Sequence, residues 1–198
     1  MKIDIDVPDG ISGDWSVDTF EIKQNGCDAY SYELSQIISL VKTGRGVPAG
    51  TYKRLMRNGH CIMSNTPDEI NDFKYFIYNA TGSVLINGLG IGVVLKALLD
   101  KPEITDITVI EKSKDVIKLV APTYLIDNRV TIINADAFEY KPPKNKKYDA
   151  VWHDIWDNIC GDNLDEMKTL HRKYGKQANY QESWCRWKCE QTKKYNNY

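Results

Sequence analysis

The sequence predicts an α/β fold on a mostly parallel sheet, and three observations predict it. The first is the apolar run Val84-Leu85-Ile86-Asn87, which passes directly into Gly88-Leu89-Gly90-Ile91-Gly92. A buried strand that ends in alternating glycines and opens a helix is how a Rossmann-like sheet brings its backbone against a nucleoside cofactor. Side chains there would clash with the ligand, and tight turns often require positive φ. The second is Glu111, which ends the strand Asp106–Ile110 about 20 residues beyond the glycines, where a carboxylate can accept ribose hydroxyls. The third is the regular alternation of strand and helix patterns that follows, which implies right-handed βαβ crossovers.

Each element has its own signal. Val93–Leu99 is an apolar helical stretch ended by Asp100-Lys101-Pro102, and a second helix is predicted from Lys114 to Ala121. Val130–Asn134 reads as a third strand and leads into Asp136-Ala137-Phe138. Tyr148–His153 reads as a fourth and leads into Asp154-Ile155-Trp156-Asp157. Beyond it, Asp162–Met167 opens a helix that ends at Gly175, and the pattern from Gln181 to Tyr195 is again helical.

The N-terminal part reads as a small α+β region. Met1–Val7 alternates with period two, as a half-exposed strand does, and Thr19–Lys23 is a second short strand. Tyr30–Lys42 is predicted as a helix with Leu34, Ile37, Ile38 and Val41 on one face, and Gly44–Gly50 as a loop. Thr51–Met56 and His60–Ser64 flank Arg57-Asn58-Gly59, a hairpin signal. Ser64–Glu69 then offers cap chemistry for a helix to Asn79. The expected organisation is residues 1–80 as this region, 81–160 as the cofactor-binding core and 161–198 as C-terminal helices on or over the core.

The segment from Ser83 to Asn158 resembles the cofactor-binding half of class I S-adenosylmethionine-dependent methyltransferases, and within them the spermidine synthase branch. The resemblance rests on four features in order: Gly88-Leu-Gly90-Ile-Gly92, Glu111, Asp136-Ala137-Phe138 and Asp154-Ile-Trp-Asp157. It implies that Gly88, Leu89, Gly90 and Gly92 approach the amino-acid portion of the cofactor. It further implies that Glu111, with Lys112 beside it, holds the ribose, and that Asp136 and the Ala137 N–H meet the adenine. Asp154 and Asp157 would face the reacting end. The implied cofactor is S-adenosylmethionine, with the decarboxylated form or methylthioadenosine as alternatives.

The chain departs from the spermidine synthase pattern at three places. Ile91 stands where that branch has an Asp, Asp68–Phe73 carries neither of its Tyr and His side chains, and Asn158 stands where Pro is usual. The Asp/Asn-Pro-Pro-aromatic motif of amino-group DNA methyltransferases is absent as well. The superfamily's full sheet is seven-stranded, so the resemblance also implies a form shortened after the fourth strand. The N-terminal hairpin or a second copy of the chain is expected to cover the edge left open. The expected activity is methyl transfer to an unidentified acceptor. Aminopropyl transfer, a non-catalytic nucleoside-binding module, and a purely structural remnant are the alternatives.

Composition narrows the classes further. A net charge of −1 gives no global signal for nucleic acid or anionic membrane. No apolar run reaches the length of a membrane span, and a signal-peptide core is lacking. Five cysteines, Cys27, Cys61, Cys160, Cys185 and Cys189, show no disulfide framework, which fits a cytoplasmic protein. Cys185 and Cys189 with His171 or Cys160 lack the common zinc spacings and are expected to be core thiols, so no metal site is predicted. Tyr180, Trp184 and Trp187 are expected as a helical stripe packed on the sheet, the alternative being a stacking surface for a base or aromatic substrate. Trp156 is a candidate pocket wall. His153 is a candidate proton acceptor if the chain turns at this point, and otherwise a histidine hydrogen-bonded under the C-terminal helix.

Overall fold

The computed structural model describes residues 1–23 and 47–195, so the expected helix Tyr30–Lys42 and Cys27 lie outside the described residues. The chain forms two sheets. The first is antiparallel, in the order β1 (Gly10–Ser12), β2 (Trp15–Ile22), β3 (Gly50–Arg57) and β4 (His60–Ser64). The β3–β4 hairpin turns at Asn58 and Gly59, whose φ values of 50° and 80° are those of a two-residue type I′ turn. It pairs with β2 and does not cover the edge of the second sheet, which corrects the first of the two expectations for that edge.

The expected N-terminal strand is only half present. Ile3, Ile5 and Val7 are buried in alternation, but residues 1–9 make no ladder. The Asn65 Nδ2 donates to the Ile3 carbonyl at 3.0 Å, so a side chain serves this backbone instead of a neighbouring strand.

The second sheet follows helix α1 (Pro67–Asn79), with Pro67 in its first turn and Asp68 and Glu69 there favoured by the helix dipole. Its elements are β5 (Gly82–Asn87), α2 (Val93–Leu99), β6 (Ile104–Glu111), α3 (Lys114–Tyr124), β7 (Val130–Asn134), β8 (Tyr148–His153), α4 (Asn163–Tyr174), β9 (Ala178–Ser183) and α5 (Arg186–Tyr195). The strand order is β7-β6-β5-β8-β9 and every pairing is parallel, a Rossmann-like arrangement. Val84 to Asn87 are buried throughout, as a central parallel strand covered on both faces requires. The chain leaves β5 in one direction through β6 and β7, then returns to its other side with β8. The ends of β5 and β8 therefore flank the topological switch point, where open α/β sheets bind ligands.

β9 corrects the helical reading of Gln181–Ser183 and moves the truncation from after the fourth strand to after the fifth. Val151, Trp152 and His153 on β8 pair with Gln181, Glu182 and Ser183. The outer edge of β8 needs backbone partners, and that long-range demand overrides the local spacing. The Tyr180–Trp187 stripe is consequently divided: Tyr180 lies on β9, Trp184 in the turn after it, and Trp187 on α5, 63% exposed.

Candidate functional site

A cleft of about 300 Å³ opens at the carboxyl ends of β5, β6 and β8. Its floor is Gly88, Gly90, Glu111 and Ala137, and one side is Asp154, Trp156 and Asp157. The facing side comes from the antiparallel sheet and its hairpin: Trp15, Leu55, Arg57, Ile62 and Met63. Glu69 of α1 and Trp184 complete it.

The glycine loop is shaped by its neighbours. At Gly88, with φ 97°, a Cβ would stand 1.9 Å from the Asp154 carbonyl oxygen, so only glycine lets the backbone after β5 run this close to the backbone after β8. At Gly90 a Cβ would lie 2.2 Å from Met63 Sδ, and the Ile91 N–H points to that sulfur at 3.4 Å. Gly92 caps α2 against the Tyr124 ring, whose hydroxyl donates to the Ile91 carbonyl at 2.9 Å. Gly92 and Leu89 are not among the residues lining the main cleft.

Glu111 is the best-held acid of the site. Its carboxylate accepts from the Leu89 N–H at 2.9 Å and the Ser113 N–H at 2.7 Å, which ties the end of β6 to the glycine loop. Burial raises its pKa, opposed by those backbone donors. A carboxylate has about four lone-pair sites, so two hydrogen bonds leave capacity for hydroxyl donors.

The turn after β7 presents its alanines, and not Asp136, to the cleft. Ala135 and Ala137 line the cleft, whereas Asp136 turns to Lys112, its carboxylate 2.8 Å from the ammonium, and accepts from the Phe138 N–H at 2.8 Å. The Lys112 ammonium holds the Asp136 carboxyl below its ordinary value. The Ala137 carbonyl accepts from Lys173 Nζ at 3.0 Å and the Tyr174 hydroxyl at 3.2 Å, which fixes this turn from α4.

Asp154 and Asp157 both line the cleft, in different states. Burial, then the charges of Glu69 and Asp72, push the Asp154 carboxyl up to about 8. Asp157 forms an ion pair with Arg57, joining the loop after β8 to the hairpin. Trp156 walls the cleft, its Nε1 donating to Glu166 Oε2 at 2.6 Å.

His153 is placed away from the cleft. It is fully buried on the α4 side of the sheet, 5.1 Å from the His171 ring and 5.6 Å from Tyr174. Its Nδ1 is 2.8 Å from Asn87 Nδ2 and its Nε2 is 3.2 Å from Gln181 Oε1. The amide nitrogen of Asn87 donates and the amide oxygen of Gln181 accepts, which fits a neutral imidazole protonated at Nε2. Burial lowers its pKa to about 3. The strand does not turn early enough to present this side chain, so the proton-acceptor reading of His153 is withdrawn.

Arg57, Met63, Glu69 and Trp15 were missed by sequence reasoning. Their positions depend on how the antiparallel sheet and α1 pack at the glycine loop, which no local motif encodes. Cys185 and Cys189 are buried, and among the described residues no group of three or more His, Cys, Asp or Glu is placed to hold a metal. Among those residues, too, no helix is long and apolar enough to cross a membrane.

No family model matches the chain, and no curated protein matches it. Solved structures similar to it include the N-methyltransferase NodS from Bradyrhizobium japonicum WM9, at 13% identity and TM-score 0.43, covering 56% of this chain and 60% of that one. The CcbJ methyltransferase from Streptomyces caelestis is 19% identical with TM-score 0.45, covering 57% and 48%. The 23S rRNA methyltransferase ErmE is 17% identical with TM-score 0.44, covering 56% and 43%. The chain thus spans from under half to three fifths of the length of these structures. Such distant likeness assigns no activity, and the strand order and cleft carry the functional reading.

Proposed function

We propose that the chain binds S-adenosylmethionine in this cleft and transfers its methyl group to a small acceptor. The observation that carries the reading is the convergence of the glycine loop, the half-buried Glu111 carboxylate and Asp154 on one cleft at the switch point of the sheet. The residues present fit the group: Gly88 and Gly90 line the cleft without side chains, Met63 Sδ lying against Gly90, and Glu111 keeps acceptor capacity for two hydroxyls.

In this reading Gly88 and Gly90 hold the amino-acid portion, Glu111 the ribose and Ala137 the edge of the base, with the Lys112–Asp136 pair at the rim. Bound there, the cofactor supplies an electrophilic methyl carbon, transferred as its bond to sulfur breaks and one to the acceptor forms. Asp154 is the group able to take the acceptor's proton, because a carboxyl titrating near 8 is a far stronger base than an ordinary one. Arg57 fixes Asp157 at the mouth, and the tryptophans exclude water from the reacting end.

Calorimetric titration of S-adenosylmethionine, its decarboxylated form, S-adenosylhomocysteine and methylthioadenosine tests the reading. Micromolar binding of S-adenosylmethionine that is weakened at least tenfold in Glu111→Gln is expected. Preference for the decarboxylated compound would replace methyl with aminopropyl transfer. Binding of none of the four would overturn the assignment of the cleft.

A further inference from the structure

The face of Gly90 that lacks a side chain is covered by a residue from the other sheet. Met63, on β4, rests its thioether there: a Cβ on Gly90 would stand 2.2 Å from Met63 Sδ and 3.0 Å from its methyl carbon. The Ile91 N–H donates to the same sulfur at 3.4 Å. Ile91 is fully buried, and a thioether is a weak acceptor, so this donor of the glycine loop has a poor partner. The side chain that covers it is itself a wall of the main cleft, as is Gly90.

The other two glycines of the loop face parts that do not yield. Gly88 lies against the Asp154 carbonyl oxygen, and Gly92 against the Tyr124 ring, whose hydroxyl is tied to the Ile91 carbonyl. Gly90 is the one of the three whose free face is closed by an unbranched side chain. Methionine has three rotatable bonds and adapts its shape more readily than other apolar residues. β4 is the last strand of its sheet, paired only with β3. Its backbone is nonetheless held just beyond Met63, because the Glu69 carboxylate accepts from the Ser64 N–H at 2.8 Å and the Ser64 hydroxyl at 2.6 Å. The side chain is the part free to move.

We propose that Met63 is a specificity-determining residue. Its thioether holds the place on the glycine loop that the amino-acid portion of the cofactor takes, so a ligand with that portion must displace it. A nucleoside without that portion binds with Met63 seated. This rests on the reading above, in which Gly90 meets the amino-acid portion, and deepens it. The exchange is favourable because a carboxylate accepts a charge-assisted hydrogen bond from a backbone N–H and a thioether does not. It also has a cost: apparent affinity falls by the fraction of molecules in which Met63 has left its seat.

The test compares S-adenosylhomocysteine with methylthioadenosine. Both are uncharged at sulfur and share the adenosine, and they differ in the amino-acid chain. Each is titrated calorimetrically into the native chain and into Met63→Ala. The variant should bind S-adenosylhomocysteine about fivefold tighter, the scale of one weak hydrogen bond given up, and methylthioadenosine within about twofold of the native value. A second measurement uses the native chain with ¹³C-methyl methionine and ¹⁵N backbone labels. Met63 is one of four methionines, and its methyl signal is assigned by its loss in Met63→Leu. S-adenosylhomocysteine should shift that methyl signal and move the Ile91 amide downfield, whereas methylthioadenosine should leave the Ile91 amide in place.

Unchanged or weaker binding of S-adenosylhomocysteine by Met63→Ala, equal gains for both ligands, or an Ile91 amide that answers both ligands alike would overturn the proposal. If Met63→Ala does not fold, the native methyl and amide signals decide the matter. The proposal and the reading beneath it fail separately. Binding of neither ligand by the native chain removes the cofactor site, whereas binding of both without the Met63 dependence removes only the role of this residue.

Discussion

A methyl group at Gly88 would meet the Asp154 carbonyl oxygen at 1.9 Å, and that oxygen is backbone with nowhere to move. Gly88→Ala is therefore expected to lose at least the about 1–3 kcal/mol of a strained backbone position, and to distort the Asp154 loop with it. Urea unfolding reads the first effect and cofactor calorimetry the second. In the proposed reaction Asp154 is the base. Only its ionised form accepts a proton, so turnover should climb with pH and level off above about 8. Asp154→Asn should lower turnover by about 10²–10⁴-fold while cofactor affinity changes only a few-fold. An unchanged rate in that variant would move the base elsewhere.

Gly59 makes an instructive contrast because it belongs to an element rather than to the cleft. Its φ is 80°, but nothing lies within 4 Å of an added Cβ. Gly59→Ala should cost only the left-handed backbone, about 1–2 kcal/mol, and leave the hairpin register and cofactor binding unchanged. Turn chemistry of this sort was legible in the sequence, as were the strands that carry their own apolar pattern: Val130–Asn134 and Tyr148–His153 stand where the pattern puts them. β9 was not legible. Its residues alternate weakly in burial, and the strand exists because β8 has an open side. The same division runs through the site. Gly88, Glu111 and Asp154 sit on strand ends that announce themselves, whereas Met63 and Arg57 reach the cleft through the docking of one sheet on another. Asp136 and His153 carried the right residue types at the right positions, and their side chains are claimed by Lys112 and by Asn87 with Gln181.

At the scale of the whole molecule, two groups give opposite pH slopes to stability. His153 titrates near 3 in the folded chain against an ordinary value of 6.5, so the unfolded chain binds the extra proton between those limits and stability falls as pH drops through them. Asp154 titrates near 8 against 3.8, so the folded chain holds the extra proton and stability falls as pH rises through that window. From about pH 4 to 6.5 the two slopes cancel. Between 6.5 and 8 Asp154 acts alone, at about 1.4 kcal/mol per pH unit at most. Denaturant midpoints across pH 4–8 check this: Asp154→Asn should gain stability up to pH 6.5 and then level off, relative to the native chain's trend. His153→Gln should show the reverse bias, losing stability steadily from pH 4 upward.

The ion pair of Arg57 with Asp157 has a bearing on how quickly a ligand arrives. Both residues line the cleft, and both side chains are about two-fifths exposed. Exposed pairs weaken as salt shortens the Debye length, to about 8 Å at physiological ionic strength. If entry requires this pair to open, it is a latch whose stiffness is set by the solvent. In stopped-flow mixing with the uncharged methylthioadenosine, the association rate should rise with sodium chloride in the native chain. The Arg57→Met chain should start fast and stay insensitive to salt. A native rate that ignores salt would mean that entry does not require the latch to open.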